Sequence, residues 1–114
     1  MTRFATHDAQ SATQLLGLLI DAAAEVAAEP GLEDYDVCVD VEDASVVWAV
    51  ERWASAEHAR AHVEATAARG AAEKVGPLLR AELTTAHLPV VLSVPPNPPG
   101  DRRPSANPRT RTSP

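Results

Sequence analysis

The stretch from Val46 to His62, VVWAVERWASAEHARAH, constrains the fold of this chain more than any other. Its first eight residues, Val46 to Trp53, are rich in β-branched and aromatic side chains and contain neither Gly nor Pro, which predicts a strand. Both faces of that strand are apolar until its end, as in a central strand covered on two sides. Ser55 can accept from the free N–H groups of a helix start, and Glu57 suits the helix dipole. The sequence therefore predicts a buried strand that leads directly into a helix.

Length and composition limit the size of the core. Of the 114 residues, 22 are Ala and four are aromatic, so few side chains bury much apolar area, and a second subunit would stabilise such a chain. We expect a homodimer. Residues 95–114 contain seven Pro and almost nothing apolar. We therefore expect one folded domain over residues 1–94 and a disordered Pro/Arg-rich tail over residues 95–114.

Charge and cysteine content argue against several classes of protein. Residues 1–94 contain 15 acidic and six basic side chains, a net charge of −9, and such a surface repels nucleic acid. The longest strongly apolar run, Leu15 to Ile20, is far shorter than the ~20 residues that cross a bilayer. The lone Cys38 lies among acidic residues, so it forms no internal disulfide and is a poor nucleophile. No signal-peptide pattern opens the chain, and we expect a cytoplasmic protein that binds neither nucleic acid nor membrane.

The first half of the chain predicts a strand and a helix. Met1 to His7 is a short candidate strand. Ser11 to Gln14 matches a capping box, which predicts a helix start at Ser11. Apolar residues then recur at helical spacing until Glu29-Pro30-Gly31, where Pro and Gly end the helix.

The second half adds the remaining elements. Leu32 to Val41 alternates between apolar and acidic residues, which predicts an edge strand before the central one. The helix from Ser55 fades near Gly70, and a short helical piece follows over Ala71–Val75. Leu78 to Val94 contains the last extended segment, most convincingly over His87–Val94, where Pro89 confines it to an edge or a bulge.

The order β-α-β-β-α-β predicts an α+β, ferredoxin-like fold with an antiparallel four-stranded sheet. Right-handed crossovers place the first and third strands at the centre and the second and fourth at the edges. Helices cover only one face of such a sheet, whereas the central strand is apolar on both. We therefore expect the second face to pack on the sheet of a partner.

Several short motifs together resemble one known family. Pro30-Gly31 precedes a Tyr-bearing strand, and Glu51-Arg52-Trp53-x-Ser55-x-Glu57 and Ala61-His62 follow. This pattern resembles the antibiotic biosynthesis monooxygenase domain family, which forms dimeric α+β barrels, and the resemblance covers about residues 3–94. The chain departs from the family pattern in its short first strand, in lacking Pro-Gly before the first helix, and in having His58 where an apolar residue is usual. The resemblance implies an oxygenase that uses no metal, flavin or haem and oxidises quinols or aromatic polyketide intermediates with dioxygen.

The implied mechanism needs a base that removes a proton from a phenol or enol, so that the anion reduces dioxygen. His62 is the candidate catalytic base because imidazole titrates near neutral pH and the family pattern has a His there; alternatively it is structural, bonded to Glu51 or to a backbone carbonyl. Trp53 is either a wall for an aromatic substrate or a core residue. Tyr35 either donates to a substrate oxygen or packs across strands. Glu51 completes the candidate substrate-binding set, and its burial predicts a contact with His62.

The spacing of His58 and His62 also suits two kinds of metal site. His58 and His62 are four apart on one helix, a spacing that suits a metal, but a third ligand such as Glu82 or His87 would have to come from afar. The metalloprotease signature fails because Ala59 follows His58. We therefore predict no metal site, and the resemblance implies that no other cofactor is used. The alternatives to an enzyme are a non-catalytic small-molecule-binding barrel and an accessory dimer that steadies a partner enzyme.

Overall fold

The computed structural model describes residues 1–96, which form one antiparallel sheet with helices packed on one side. The strands are β1 Thr2–Ala5, β2 Leu32–Val39, β3 Val46–Trp53 and β4 Thr84–Thr85. The helices are α1 Ala9–Ala27, α2 Ala56–Ala68 and α3 Ala71–Val75, and a 3-10 turn covers Gly76–Leu78. The strand order is β2-β3-β1-β4, and each neighbouring pair is antiparallel. The predicted α+β, ferredoxin-like fold and the central position of the first and third strands are confirmed. Of the predicted tail, residues 97–114 lie outside the described residues.

The core lies between the centre of the sheet and α1. β3 has the bounds predicted from the sequence, and its register sets Phe4 of β1 opposite Val47. Phe4, Val47 and Ala49 pack against Leu15 and Ala12 of α1, and all five are buried. Apolar residues recur along α1 at helical spacing, so one face of the helix covers the sheet.

The turn between α1 and β2 brings the start of α2 close to it. Gly31 has a φ of +82°, a conformation that side chains disfavour, as the predicted helix stop requires. The imidazole ring of His58, in the first turn of α2, occupies the space that a Cβ at Gly31 would need. Ser55 caps α2 as predicted, since its side chain accepts from the backbone N–H of His58.

The start of α1 differs from the prediction. The helix begins at Ala9 rather than at Ser11, and Asp8 is its cap. Asp8 Oδ1 accepts from the backbone N–H of Ser11 at 2.7 Å. Ser11 is therefore the residue whose N–H is capped. The aspartate carboxylate three residues earlier performs the task that the capping box assigned to the serine hydroxyl.

The last strand lies within the predicted range Leu78–Val94, but not in the part that the sequence favoured. It covers Thr84–Thr85, which pair with Arg3 and Thr2 of β1, and not His87–Val94. β1 begins at Thr2, which lies opposite Thr85, so no residue of β1 lies opposite His87–Val94. That segment is exposed despite its β-branched composition. At the other edge of the sheet, β2 ends at Val39 instead of the predicted Val41.

The face of the sheet away from the helices carries Trp48 and Val50 of β3. The indole Nε1–H of Trp48 donates to Asp40 Oδ2 at 3.0 Å, and the guanidinium carbon of Arg3 lies 6.0 Å from the centroid of its ring. Val50 is 37% exposed. Apolar surface thus runs along the middle of this face, with charged side chains beside it. Within residues 1–96 no helix has the length and apolar character needed to cross a bilayer.

Candidate functional site

The four side chains that the sequence predicts as site residues lie together on the helix-covered side of the sheet. Tyr35 of β2 and Glu51 of β3 are directly opposite in the register, and Trp53 follows two residues later on the same face. His62 reaches this group from α2. Its ring centroid lies 4.8 Å from that of Trp53 at an interplanar angle of 31°, and 6.3 Å from that of Tyr35 in an edge-on arrangement. We call Tyr35, Glu51, Trp53 and His62 the aromatic cluster.

His62 lies between two carboxylates. Its Nδ1 is 2.8 Å from Glu29 Oε1, a hydrogen bond, and its Nε2 is 3.7 Å from Glu51 Oε1, too long for one. The side chains of His62, Glu29 and Glu51 are 11%, 12% and 16% exposed. The predicted neighbour Glu51 is therefore close to His62, but the carboxylate that bonds the ring is Glu29.

Glu29 and Arg69 are the two members of the site that the sequence analysis missed. Arg69 Nη2 donates to Glu29 Oε2 at 2.8 Å, and Arg69 Nε lies 3.6 Å from the exposed Glu25. Burial opposes ionisation of Glu29, but the hydrogen bonds from Arg69 and His62 outweigh it and lower the pKa of Glu29. One signal could have found Arg69: it lies seven residues after His62, two turns along the same helix face.

The surroundings determine the hydrogen bond of Trp53 and the protonation state of Tyr35. Trp53 Nε1–H donates to Glu51 Oε1 at 2.8 Å, which holds the indole and the carboxylate together. Burial, and then the charges of Glu51 and Glu29, raise the pKa of Tyr35. The Tyr35 phenol therefore keeps its proton at neutral pH and can donate it in a hydrogen bond.

An open cleft lies beside one member of the cluster. It has a volume of about 410 Å³ and runs between the C-terminal half of α1 and the start of β2. Its walls are mostly apolar and come from Ala23, Val26, Ala27, Leu32, Glu33, Asp34 and Tyr35. Tyr35 borders the cleft, whereas Trp53 and His62 are not among its lining residues. Tyr35 is therefore the residue at which the aromatic cluster meets this opening.

His58 does not join the aromatic cluster, although it is one turn from His62. Its Nδ1 lies 2.7 Å from Ser55 Oγ and its ring packs on Gly31, so its contacts hold the start of α2. Glu82 and His87, the distant ligands considered for a metal, are exposed. Among residues 1–96 no three His, Cys, Asp or Glu side chains are arranged to hold a metal ion.

The sequence of the region that builds this site decides its family. Residues 1–74 match the family model described as antibiotic biosynthesis monooxygenase, and this range is more than half of the chain. The chain belongs to the antibiotic biosynthesis monooxygenase family. The matched range includes the whole aromatic cluster together with Glu29 and Arg69. The resemblance inferred from the motifs is thereby confirmed.

Solved structures share the fold of this family member. A candidate antibiotic biosynthesis monooxygenase from Caulobacter crescentus superposes with a TM-score of 0.64 at 21% identity, covering 73% of this chain and 78% of that chain. A conserved protein from Methanosarcina mazei gives a TM-score of 0.65 at 16% identity, covering 73% and 81%. The ActVA-Orf6 monooxygenase of Streptomyces coelicolor, in complex with the ligand nanaomycin D, gives a TM-score of 0.56 at 17% identity, covering 81% and 88%. At these identities the likeness establishes the fold alone. No curated protein sequence matches this member of the family.

Proposed function

We propose that this chain is a cofactor-independent monooxygenase that oxidises a phenol, a quinol or an aromatic polyketide-type small molecule with dioxygen. The observation that carries the proposal is the enclosure of His62 by Trp53, Tyr35 and Glu51 in a member of this family. A mostly buried imidazole beside two aromatic side chains suits proton abstraction from a flat aromatic substrate. The Streptomyces monooxygenase, solved with nanaomycin D, supports a small organic ligand for this fold.

In the proposed reaction His62 takes the proton of an acidic O–H or C–H bond of the substrate. The bond breaks heterolytically, so the imidazole ring of His62 gains a positive charge and the substrate becomes an electron-rich anion. That anion reduces dioxygen and forms a bond to it. For an anthrone the carbon that bore two hydrogens becomes a carbonyl with one oxygen atom, and the other oxygen atom leaves with both hydrogens as water. In this proposal the protein supplies the base, and the neutral Tyr35 phenol donates to the developing oxyanion.

Oxygen uptake tests this proposal. We would add the purified protein, with no metal or flavin, to dithranol, a dihydroxyanthrone, and to the naphthohydroquinone menadiol, and subtract the autoxidation measured without protein. Dithranol oxidation should consume one dioxygen for each quinone formed, and the rate should scale with protein concentration. The proposed monooxygenase activity would be contradicted if oxygen uptake were no faster than autoxidation for the hydroquinones and anthrones that bind.

One observation favours the second candidate, a barrel that binds a small molecule without oxidising it. The cleft beside Tyr35 is open and apolar, but neither His62 nor Trp53 lines it. A ligand in this cleft would touch Tyr35 and not the imidazole of His62. Binding of dithranol can be measured under nitrogen by the quenching of tryptophan emission. Binding without faster oxygen uptake in air would support this candidate.

A further inference from the structure

Glu29 uses both of its carboxylate oxygens, one on His62 of α2 and one on Arg69, the residue that follows α2. Oε1 lies 2.8 Å from His62 Nδ1, and Oε2 accepts from Arg69 Nη2 at 2.8 Å. Glu29 itself follows the end of α1, so these two bonds join that end to the middle of α2 and to the residue just after α2. We propose that Glu29, held by Arg69, is a positioning residue that fixes the tautomer of His62. The inference rests on the proposed function, in which His62 is the base.

The argument begins with the direction of the hydrogen bond. Glu29 is ionised at neutral pH because its pKa lies below the ordinary value. An ionised carboxylate only accepts, so the hydrogen between Glu29 and His62 belongs to Nδ1. In the neutral ring the other nitrogen, Nε2, then carries the free lone pair. Nε2 is the nitrogen on the side of Glu51, and Glu51 Oε1 is already bonded by the Trp53 indole.

The separation between His62 Nε2 and Glu51 Oε1 supports this assignment. These two atoms are 3.7 Å apart and, in the neutral ring, both are acceptors, so no hydrogen bond joins them directly. A substrate hydroxyl that approaches Nε2 therefore meets a lone pair rather than a competing donor. When Nε2 takes a proton, the new cation lies between the carboxylates of Glu29 and Glu51, which stabilise it.

Arg69 makes the arrangement rigid. Its bond to Oε2 fixes the plane of the Glu29 carboxylate and offsets the buried charge. Glu25 is the weaker partner of Arg69: its side chain is 62% exposed, at 3.6 Å, and it makes no contact with His62. Glu25 therefore offers a matched control, since the same Glu→Gln change there alters the surroundings of Arg69 and leaves the ring alone.

The tautomer can be read directly by nitrogen-15 NMR of the histidine rings at about pH 8, above the ordinary pKa of imidazole. In the unmodified protein, His62 should show a protonated Nδ1 and an unprotonated Nε2. In Glu29→Gln the side-chain amide can both donate and accept, so Nε2–H, the form that free imidazole prefers, should become the major tautomer. Glu25→Gln should keep the original pattern. Nε2–H or a doubly protonated ring in the unmodified protein would overturn the proposal even if Glu29→Gln failed to fold. The same ring pattern in folded Glu29→Gln would also overturn it.

Turnover provides the second readout. With dithranol as the probe, kcat of Glu29→Gln should fall about 10- to 100-fold, the range typical for loss of a partner that orients a functional imidazole, with KM nearly unchanged. Glu25→Gln should keep the kcat of the unmodified protein. The two ideas fail separately: no oxidation of any substrate with the Nδ1–H tautomer present refutes the enzyme and not the role of Glu29 on the ring. Turnover in Glu29→Gln equal to that of Glu25→Gln refutes the positioning role and leaves the enzyme in place.

Discussion

At the scale of single residues, His62 is the side chain on which catalytic and structural roles make opposite predictions. In His62→Gln the amide retains hydrogen-bonding capacity and suits a helix, so a base role predicts a folded protein whose turnover falls ~100- to 10,000-fold. A purely structural role predicts instead a loss of about 1 to 3 kcal/mol in the free energy of unfolding, because Glu29 loses a hydrogen-bond partner. Oxygen uptake and urea denaturation of the same preparation separate the two.

The control for that experiment is His87→Gln. His87 is exposed and far along the chain, whereas His58 packs on Gly31 and bonds Ser55, so replacing His58 would disturb the start of α2. His87→Gln should change neither turnover nor stability. An unchanged rate in His62→Gln with a verified substrate would end the assignment of the base.

Glu29 also predicts how stability depends on pH. Its pKa is lowered in the folded protein from an ordinary value of 4.5, so the unfolded chain takes up the proton first as pH falls. The stabilisation from Glu29 is therefore fully present above about pH 4.5 to 5 and is lost as pH falls through the lower, folded pKa. The unfolding free energy of Glu29→Gln should lie below that of the unmodified protein at pH 7, and the gap should narrow below about pH 4.5. Urea denaturation at pH 7 and at a pH below about 4.5 measures the gap in unfolding free energy. A gap that stays constant would contradict the lowered pKa of Glu29.

At the scale of elements, the start of α1 provides a direct comparison. Asp8→Ala removes the oxygen that accepts from the Ser11 N–H and should lower the melting temperature, because an N-cap donor loses its partner. Ser11→Ala removes the hydroxyl that the capping box had made important, and it should leave the melting temperature nearly unchanged. Thermal unfolding followed by circular dichroism gives both values. A larger effect for Ser11→Ala would restore the start that the sequence predicted.

These elements show which parts of the fold local sequence determines. The bounds of β3 and the Ser55 cap follow from patterns within a few residues, and both were predicted correctly. The last strand did not follow from such a pattern: His87–Val94 has the stronger strand composition, but Thr84 and Thr85 lie where β1 offers partners. Pairing over such a distance along the chain depends on register, which composition does not encode.

The site divides in the same way. Tyr35, Glu51, Trp53 and His62 could be nominated because strand alternation and the family pattern put them on one side of the sheet. Glu29 could not, since it lies at a helix end where no periodicity applies and reaches His62 across 33 positions of the chain. Only the three-dimensional fold brings that carboxylate, which follows the end of α1, to the ring on α2.

At the scale of the whole molecule, the face of the sheet away from the helices is the surface that we expect a second copy to cover. Val50→Asp places a charge in the middle of this face and should convert a dimer to a monomer, as sedimentation velocity would show. Val63→Asp is the matched control, because Val63 is an exposed residue of α2, and it should leave the dimer intact. Because residues 1–94 of each copy carry a charge of −9, added salt should strengthen the association. A well-folded monomer of the unmodified protein at micromolar concentration would contradict this interface.

The two tryptophans occupy opposite faces of the same strand. Trp53 contacts His62 and Glu51 on the helix side, whereas Trp48 contacts Arg3 and Asp40 on the other. Each indole is therefore a local fluorophore with its own quenchers. In Trp48→Phe the remaining emission should respond to changes around His62 and Glu51, and in Trp53→Phe it should respond to changes around Arg3 and Asp40. β3 thus carries one optical probe on each face, so that chemistry and assembly can be timed independently without an added label.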